Sequence, residues 1–207
     1  MYGYPDGFEI VKPHTRRAMI TPVPRPVQKP ATYEDLMKVP DHLVAEIVDG
    51  ELFTSPRPAS RHARASSALG GKLAPPFDFG EGGPGGWWII DEPELHLGSD
   101  ILVPDLGGWR RERMPVYPDA AYFELSPDWV CEVVSASTGR LDRVLKMPKY
   151  ATNGVAHLWL IDPVLKTLEV YRLENARWLL LASHGEDEIV RAEPFDAVDL
   201  PLAALWT

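Results

Sequence analysis

The sequence predicts a single α/β domain in which helices flank a mixed central β-sheet, with additional β-hairpins. The predicted segments run in the order helix, several strands, helix, further strands, which is typical of a mixed sheet with helices packed on it. The 207 residues are 45% hydrophobic, enough to form the core of one domain. In residues 45–54, Asp49-Gly50 separates two short apolar stretches, which is the strongest hairpin signal in the chain.

Local residue types predict the remaining elements. We predict helices over residues 31–39, 59–73 and 141–153, and strands over residues 87–90, 95–97, 101–109, 129–135, 157–161, 167–173 and 177–182. Thr32 is suited to cap the first helix, with Asp35 at its third position. Pro148 lies inside the third helix and should kink it, and Gly154 suits its left-handed end.

The chain divides into an arm and a domain. Residues 1–30 contain six prolines without apolar periodicity and predict an extended arm, so the domain is expected over residues 31–207. The apolar runs are strand-length, far below the roughly 20 residues of a membrane span, so no membrane contact is expected. The single cysteine, Cys131, lies in an apolar run, which predicts a buried, unreactive thiol and a reducing, cytoplasmic location.

The formal net charge of −9 argues against strong nonspecific binding to nucleic acid, which usually requires a basic face. Any basic surface must therefore be local. The candidates for such a surface are Arg57, Arg61, Arg64, Arg110, Arg111 and Arg113.

Two acids interrupt strand-like apolar runs. Asp105 follows residues 101–104, and Glu132 lies within residues 129–134. A carboxylate withdrawn from water is costly unless it is paired or binds a metal. If the two strands are neighbours, a dication between the carboxylates would relieve their repulsion. Ligand sets made of oxygen alone favour Mg²⁺ or Mn²⁺, and no His/Cys spacing indicates zinc.

The third predicted helix carries a lysine that could reach these acids. Asp142, Lys146 and Lys149 are spaced to lie near one helix face. An ammonium group there could orient an attacking water and offset negative charge on a phosphate. Lys146 is the candidate and Lys149 the second choice.

The motifs from Pro104-Asp105 through Glu132-Val133-Val134-Ser135 to the segment 142–163 resemble the Uma-two family. This is a bacterial group with a restriction-endonuclease-like fold, within the PD-(D/E)XK nuclease superfamily. The resemblance covers about residues 33–206 and includes residues 46–52 and 60–62. It implies metal ligands at Asp105 and Glu132, with Glu46 completing the site. Val134 occupies the position of the superfamily lysine, whose place Lys146 would take.

The two acids embedded in apolar strands and the lysine on the next helix lead us to expect a Mg²⁺- or Mn²⁺-dependent endonuclease that hydrolyses DNA phosphodiester bonds, with Val133 supplying a carbonyl ligand to the metal. We also expect DNA as the partner, and a homodimer. The alternative is a non-catalytic module that keeps the nuclease fold for protein binding or homo-oligomeric assembly. The net charge of −9, the absent lysine at Val134 and the proline-rich arm favour this alternative.

Each candidate residue also has an ordinary structural interpretation. Asp105 could cap a turn, because Pro104 precedes it and two glycines follow. Lys146 could be a solvated helix lysine paired with Asp142, and Glu46 could face solvent at the start of the hairpin. His62 could belong to a solvated helix face, which is the commoner explanation for a histidine between arginines. The second interpretation is that His62 contacts phosphate. The tryptophans are expected to fill the core.

Overall fold

The computed structural model describes residues 29–206, which contain a six-stranded, a four-stranded and a two-stranded sheet. The predicted arm lies outside the described residues except for Lys29 and Pro30. The helices are α1 (Tyr33–Leu36), α2 (Ser60–Leu73), α3 (Met147–Thr152) and α4 (Ala203–Trp206). The strands are β1 (Leu43–Val48), β2 (Glu51–Pro56), β3 (Trp87–Asp91), β4 (Leu95–Leu97), β5 (Asp100–Leu102), β6 (Leu106–Arg110), β7 (Trp129–Val133), β8 (His157–Asp162), β9 (Thr167–Glu174), β10 (Arg177–Gly185), β11 (Ile189–Val190) and β12 (Leu200–Pro201).

The six-stranded sheet is mixed, as predicted. Its strand order is β10-β9-β8-β7-β6-β3, and the β7–β8 pair is parallel while its other neighbouring pairs are antiparallel. A parallel pair needs a crossover, which the helical segment of residues 141–152 provides. The predicted α/β class with a mixed central sheet is therefore confirmed.

The predicted strand over residues 101–109 is wrong in one respect, because the chain divides it between two sheets. Strand β5 pairs with β1 and β4 in the four-stranded sheet, whereas β6 pairs with β3 and β7 in the six-stranded sheet. The crossing falls at Val103, Pro104 and Asp105. Pro104 has no N–H for a sheet ladder, which favours leaving one sheet at that point.

The hairpin and the first helix follow the prediction. Asp49 and Gly50 both have positive φ angles, 53° and 77°, as a two-residue turn matching the strand twist requires. The carboxylate of Asp35 accepts hydrogen bonds from the N–H and the hydroxyl of Thr32, at 3.1 and 2.8 Å. These bonds stabilise the start of α1.

The third predicted helix begins as a π-helical segment, Leu141–Lys146, and continues as α3. The N–H of Met147 donates to the carbonyl of Asp142, five residues earlier. Pro148 lies directly after the π-helical segment, as the second residue of α3. The wide π-helical turn lies next to the position where we predicted a kink. Gly154 ends the helix with a φ of 74°.

The six-stranded sheet separates two hydrophobic cores. On β7, Trp129, Cys131 and Val133 belong to the core that contains residues of α2, whereas Val130 belongs to the core on the other face. Glu132 points with Val130, because side chains alternate along a strand. As predicted, one face of β7 is wholly apolar, and most tryptophans are core residues. Within residues 29–206, no helix has both the length and the apolar character that crossing a bilayer would require.

Candidate active site

A cleft of about 230 Å³ lies where the two larger sheets meet. Glu46 enters it from β1 of the four-stranded sheet, and Glu132 from β7 of the six-stranded sheet. Asp105 enters from the crossing between the sheets, and Lys146 from the π-helical segment. All four predicted catalytic residues therefore line one cleft, although 100 residues separate Glu46 from Lys146 in the sequence.

Asp105 and Glu132 are brought together by the pairing of β6 with β7. Leu106 lies opposite Cys131 in this antiparallel pair. Asp105, which precedes Leu106, therefore lies beside Glu132, which follows Cys131. The N–H of Val133 donates to Oδ2 of Asp105 at 2.7 Å. The neighbouring placement expected from the sequence thus holds, with Asp105 immediately before β6 rather than inside a strand shared with Ile101.

Lys146 is a buried counter-ion for two of the acids. Its Nζ lies 2.8 Å from Oε1 of Glu46 and 2.8 Å from Oε1 of Glu132. The same Nζ donates to the carbonyl oxygen of Val103 at 3.2 Å, so all three ammonium hydrogens have acceptors. Asp142 is more distant, at 3.9 Å. Lys146 is only 2% exposed, so the interpretation of a solvated helix lysine is wrong.

Glu46 and Glu132 each use a single oxygen for these contacts. Oε1 of Glu46 also accepts the N–H of Val103 at 2.8 Å, and Oε1 of Glu132 accepts the hydroxyl of Tyr150 at 2.6 Å. The ion-pair contact of each carboxylate with Lys146 is likewise made by Oε1. Glu46 is 5% exposed, which excludes the interpretation that it faces solvent.

The cleft holds more acids than cations. Burial raises the pKa of Asp105 to about 7 and the pKa of Glu132 well above its usual range, and it also raises the pKa of Asp142. Burial would lower the pKa of Lys146, but attraction to Glu132 and Glu46 raises that pKa well above its ordinary value. Five acidic residues of the described chain thus line the cleft against two cations, Lys146 and Arg57, and Arg57 is paired with Glu92, so additional positive charge would stabilise ionised carboxylates there.

The donor set fits a dication that keeps much of its water. Among residues 29–206, no group of three or more His, Cys, Asp or Glu side chains is placed to hold a metal ion, so any ion here would have at most two such ligands. Mg²⁺ usually binds proteins through one or two carboxylates and completes its shell with water and substrate phosphate. Asp105 and Glu132 offer carboxylate oxygens of the kind that such an ion binds, whereas Val133, which follows Glu132, is not among the described residues that line the cleft.

His62 joins the site, although its sequence neighbours had favoured a solvated helix face. Its Nε2 lies 3.3 Å from Oδ1 of Asp105, and its side chain is 12% exposed. Burial lowers the pKa of His62, and Nδ1 is buried without a hydrogen-bond partner in the described chain. The helix position of His62 relative to β7 decides this contact, and no sequence spacing encodes it.

Tyr150 is the other residue that the sequence argument did not assign to the site. It is fully buried and bonded to Glu132, and burial raises the pKa of its hydroxyl well above the usual range. A signal was available, because Asp142, Lys146 and Tyr150 follow each other at intervals of four residues. Lys149, the second-choice lysine, instead pairs with Asp49 and with Asp100, the latter at 3.0 Å, and does not line the cleft.

The six candidate arginines have different roles. Arg57 pairs with Glu92 at 3.0 Å, and Arg113 pairs with Asp128 at 2.9 Å. Arg111 pairs with Asp78 at 2.6 Å and lies over the Trp88 ring. Arg110 lies over the Trp87 ring. Arg61 and Arg64 lie on α2, beside the cleft.

The mixed sheet is that of a nuclease-like fold. It resembles a crystal structure described as "a putative nuclease belonging to DUF820" from Anabaena variabilis ATCC 29413, with a TM-score of 0.68 and 22% sequence identity. The match covers 86% of this chain and 98% of that chain. At this identity the likeness establishes the fold.

The sequence identifies the family within that class. The family model Uma2, described as "Putative restriction endonuclease", matches residues 30–203, and the chain therefore belongs to the Uma2 family. None of the curated proteins searched matches the chain. Family and fold together support a nuclease function in general.

Proposed function

We propose that this protein is a Mg²⁺- or Mn²⁺-dependent endonuclease that hydrolyses DNA phosphodiester bonds. One observation carries the proposal: Asp105 and Glu132 stand side by side in a cleft, with the ammonium of Lys146 bound to Glu132. The lysine missing at Val134 is thus replaced by one from the following helix. Membership of the Uma2 family supports the choice of a nucleic acid as substrate.

The metal would be held by Asp105, Glu132 and the Val133 carbonyl, with Glu46 as a further candidate ligand. Bound there, it would polarise a phosphate oxygen and lower the pKa of a bound water. Lys146 pairs with Glu46 and Glu132 and supplies positive charge where a phosphate gains negative charge. Tyr150 directs Glu132 by holding one of its two oxygens. His62 contacts Oδ1 of Asp105, while the Val133 N–H holds Oδ2.

A nicking assay on supercoiled plasmid tests the proposal. Wild-type protein should nick the plasmid when Mg²⁺ or Mn²⁺ is present, and EDTA should stop the reaction. Asp105→Ala should abolish nicking, whereas Asp196→Ala, which changes an exposed acid away from the cleft, should retain it. Equal slow nicking by wild type and Asp105→Ala would reject the proposal.

The alternative function is a non-catalytic module with the same fold. The net charge of −9 still supports it, whereas the Val134 argument is weakened by the position of Lys146 in the cleft. Titration calorimetry separates the two. Binding of Mn²⁺ at millimolar concentration, lost in Asp105→Ala, favours the enzyme, and no binding by either protein favours the module.

Two further properties belong to the proposal. We expect a homodimer, which sedimentation equilibrium at several concentrations will test. We also expect a cytoplasmic protein, because the single cysteine is buried and burial raises the pKa of its thiol well above the usual range. Fractionation of cells that produce the protein will test this location.

A further inference from the structure

A second groove, of about 420 Å³, lies beside the start of α2. Arg61 and Arg64 line it from α2, and Lys166 lines it from the turn between β8 and β9. Val164 from the same turn and Trp206 at the end of α4 complete the wall. No acidic residue is among the described residues that line this groove.

This composition is unusual for a chain with a net charge of −9. Arg57, Arg111 and Arg113 are bound to acids, and Arg110 and Arg111 are stacked on tryptophan rings. The acid nearest in sequence, Asp162, accepts hydrogen bonds from the N–H groups of Val164 and Leu165, both at 2.9 Å. Arg61 and Lys166 are both exposed and line the groove, whereas Glu186, whose backbone bonds Lys166 and the Trp206 indole, lies next to the wall without lining it.

The groove adjoins the candidate active site across one turn of helix. Ala59 and His62 line the active-site cleft, whereas Ser60 and Arg61 line the groove. The first turn of α2 contains no acidic residue, and Ala59 provides no side-chain cap for its N–H groups. Uncapped N–H groups carry partial positive charge that adds to the field of the arginines.

From this placement we infer that the groove binds the phosphate backbone of a DNA strand whose scissile phosphate lies in the active-site cleft. The inference rests on the proposed function and adds the path of the substrate. Arg61 and Lys166 contact phosphates, and the indole of Trp206 offers a surface for a base or sugar. Phosphate contacts position the strand without reading its sequence.

The test is fluorescence anisotropy of labelled DNA, single-stranded and duplex, at several salt concentrations in EDTA, so that cleavage does not interfere. Arg61→Ala and Lys166→Ala should each weaken binding regardless of sequence and lower the salt slope by about one. Lys72→Ala is the matched control, because Lys72 is an exposed cation at the other end of α2 and lies outside the groove. The melting temperatures should match the wild-type value, since the changed side chains are exposed.

Two results would overturn the inference: wild-type affinity and salt slope in both variants, or equally tight groove-dependent binding of poly-glutamate, which would indicate an acidic protein partner. Neither result bears on plasmid nicking by wild type and Asp105→Ala. Conversely, groove-dependent DNA binding without nicking would reject the endonuclease while the groove assignment stands.

Discussion

The buried ammonium of Lys146 is the residue on which the cleft depends electrostatically. It neutralises Glu46 and Glu132 at 2.8 Å each, in surroundings where neither carboxylate has access to much water. Removing one partner of a buried ion pair leaves an uncompensated charge, which is far more costly than losing an exposed pair. This difference separates the two candidate lysines.

Lys146→Met should lower the free energy of unfolding by about 3–5 kcal/mol, because two buried carboxylates lose their counter-ion. Lys149→Met should cost less, about 1–2 kcal/mol, because the Lys149 side chain is partly exposed and one partner, Asp49, lies at the surface, while the other, Asp100, is buried. Urea unfolding measures both. A larger loss in Lys149→Met would contradict the assignment of Lys146.

Tyr150→Phe removes the hydroxyl that holds Oε1 of Glu132 at 2.6 Å. The expected loss of stability is about 1–2 kcal/mol, since the bond is buried and its acceptor is a carboxylate. Tyr171→Phe is the control, because its hydroxyl bonds Glu169 at 2.7 Å in a partly exposed setting and should matter less. Equal losses in the two variants would show that burial of the Tyr150–Glu132 hydrogen bond does not increase its contribution to the free energy of unfolding.

The β1–β2 hairpin and the π-helical segment are the elements that assemble the cleft. The hairpin carries Glu46, and the π-helical segment carries Lys146. On α3, which continues the π-helical segment, Lys149 pairs with Asp49 in the turn of the hairpin. The turn itself depends on Gly50, whose φ of 77° is unfavourable for other residues. A side chain there would also meet Pro30, with 3.0 Å between the two Cβ atoms.

Gly50→Ala should therefore destabilise the protein by about 1 kcal/mol or more. Gly71→Ala, within α2, should instead stabilise it by about 0.5–1 kcal/mol, since no atom lies within 4 Å of the added Cβ and alanine favours a helix. Thermal and urea unfolding compare the two substitutions. Stabilisation by Gly50→Ala would contradict the described turn.

At the scale of the whole molecule, the fold collects an excess of acids in one cleft. Five acidic residues and two cations of the described chain line it, and burial raises the pKa of Asp105 to about 7. A ligand that binds the folded state alone stabilises it by mass action. A dication held by Asp105 and Glu132 should therefore raise the melting temperature.

We expect Mn²⁺ at about 100 times its dissociation constant to add about 2.7 kcal/mol to the free energy of unfolding. Asp105→Asn should abolish this gain, because a ligand oxygen is replaced by an amide nitrogen or a neutral oxygen. Asp196→Asn should keep it. Differential scanning calorimetry with and without EDTA gives the measurement, and an equal gain in all three proteins would locate the effect elsewhere.

Local patterns predicted most elements. The Asp49-Gly50 turn, the Thr32 cap, the apolar face of β7 and the end of the third helix at Gly154 all depend on residues close in sequence. The same patterns singled out Asp105 and Glu132, because an acid inside an apolar run is detectable without coordinates. They failed at residues 101–109, where Pro104 marks a change of sheet that pairing partners decide.

The sequence by itself determined the α/β class, the family resemblance and the four candidate residues Glu46, Asp105, Glu132 and Lys146. Tertiary structure alone decided that Lys146 is buried between two acids while Lys149 is not, that His62 reaches Asp105, and that Arg61 and Lys166 share a groove. The physical reason is the distance along the sequence over which each effect acts. Propensity and alternation act over a few residues, whereas burial and ion pairing depend on chain segments that meet only when the two sheets pack together.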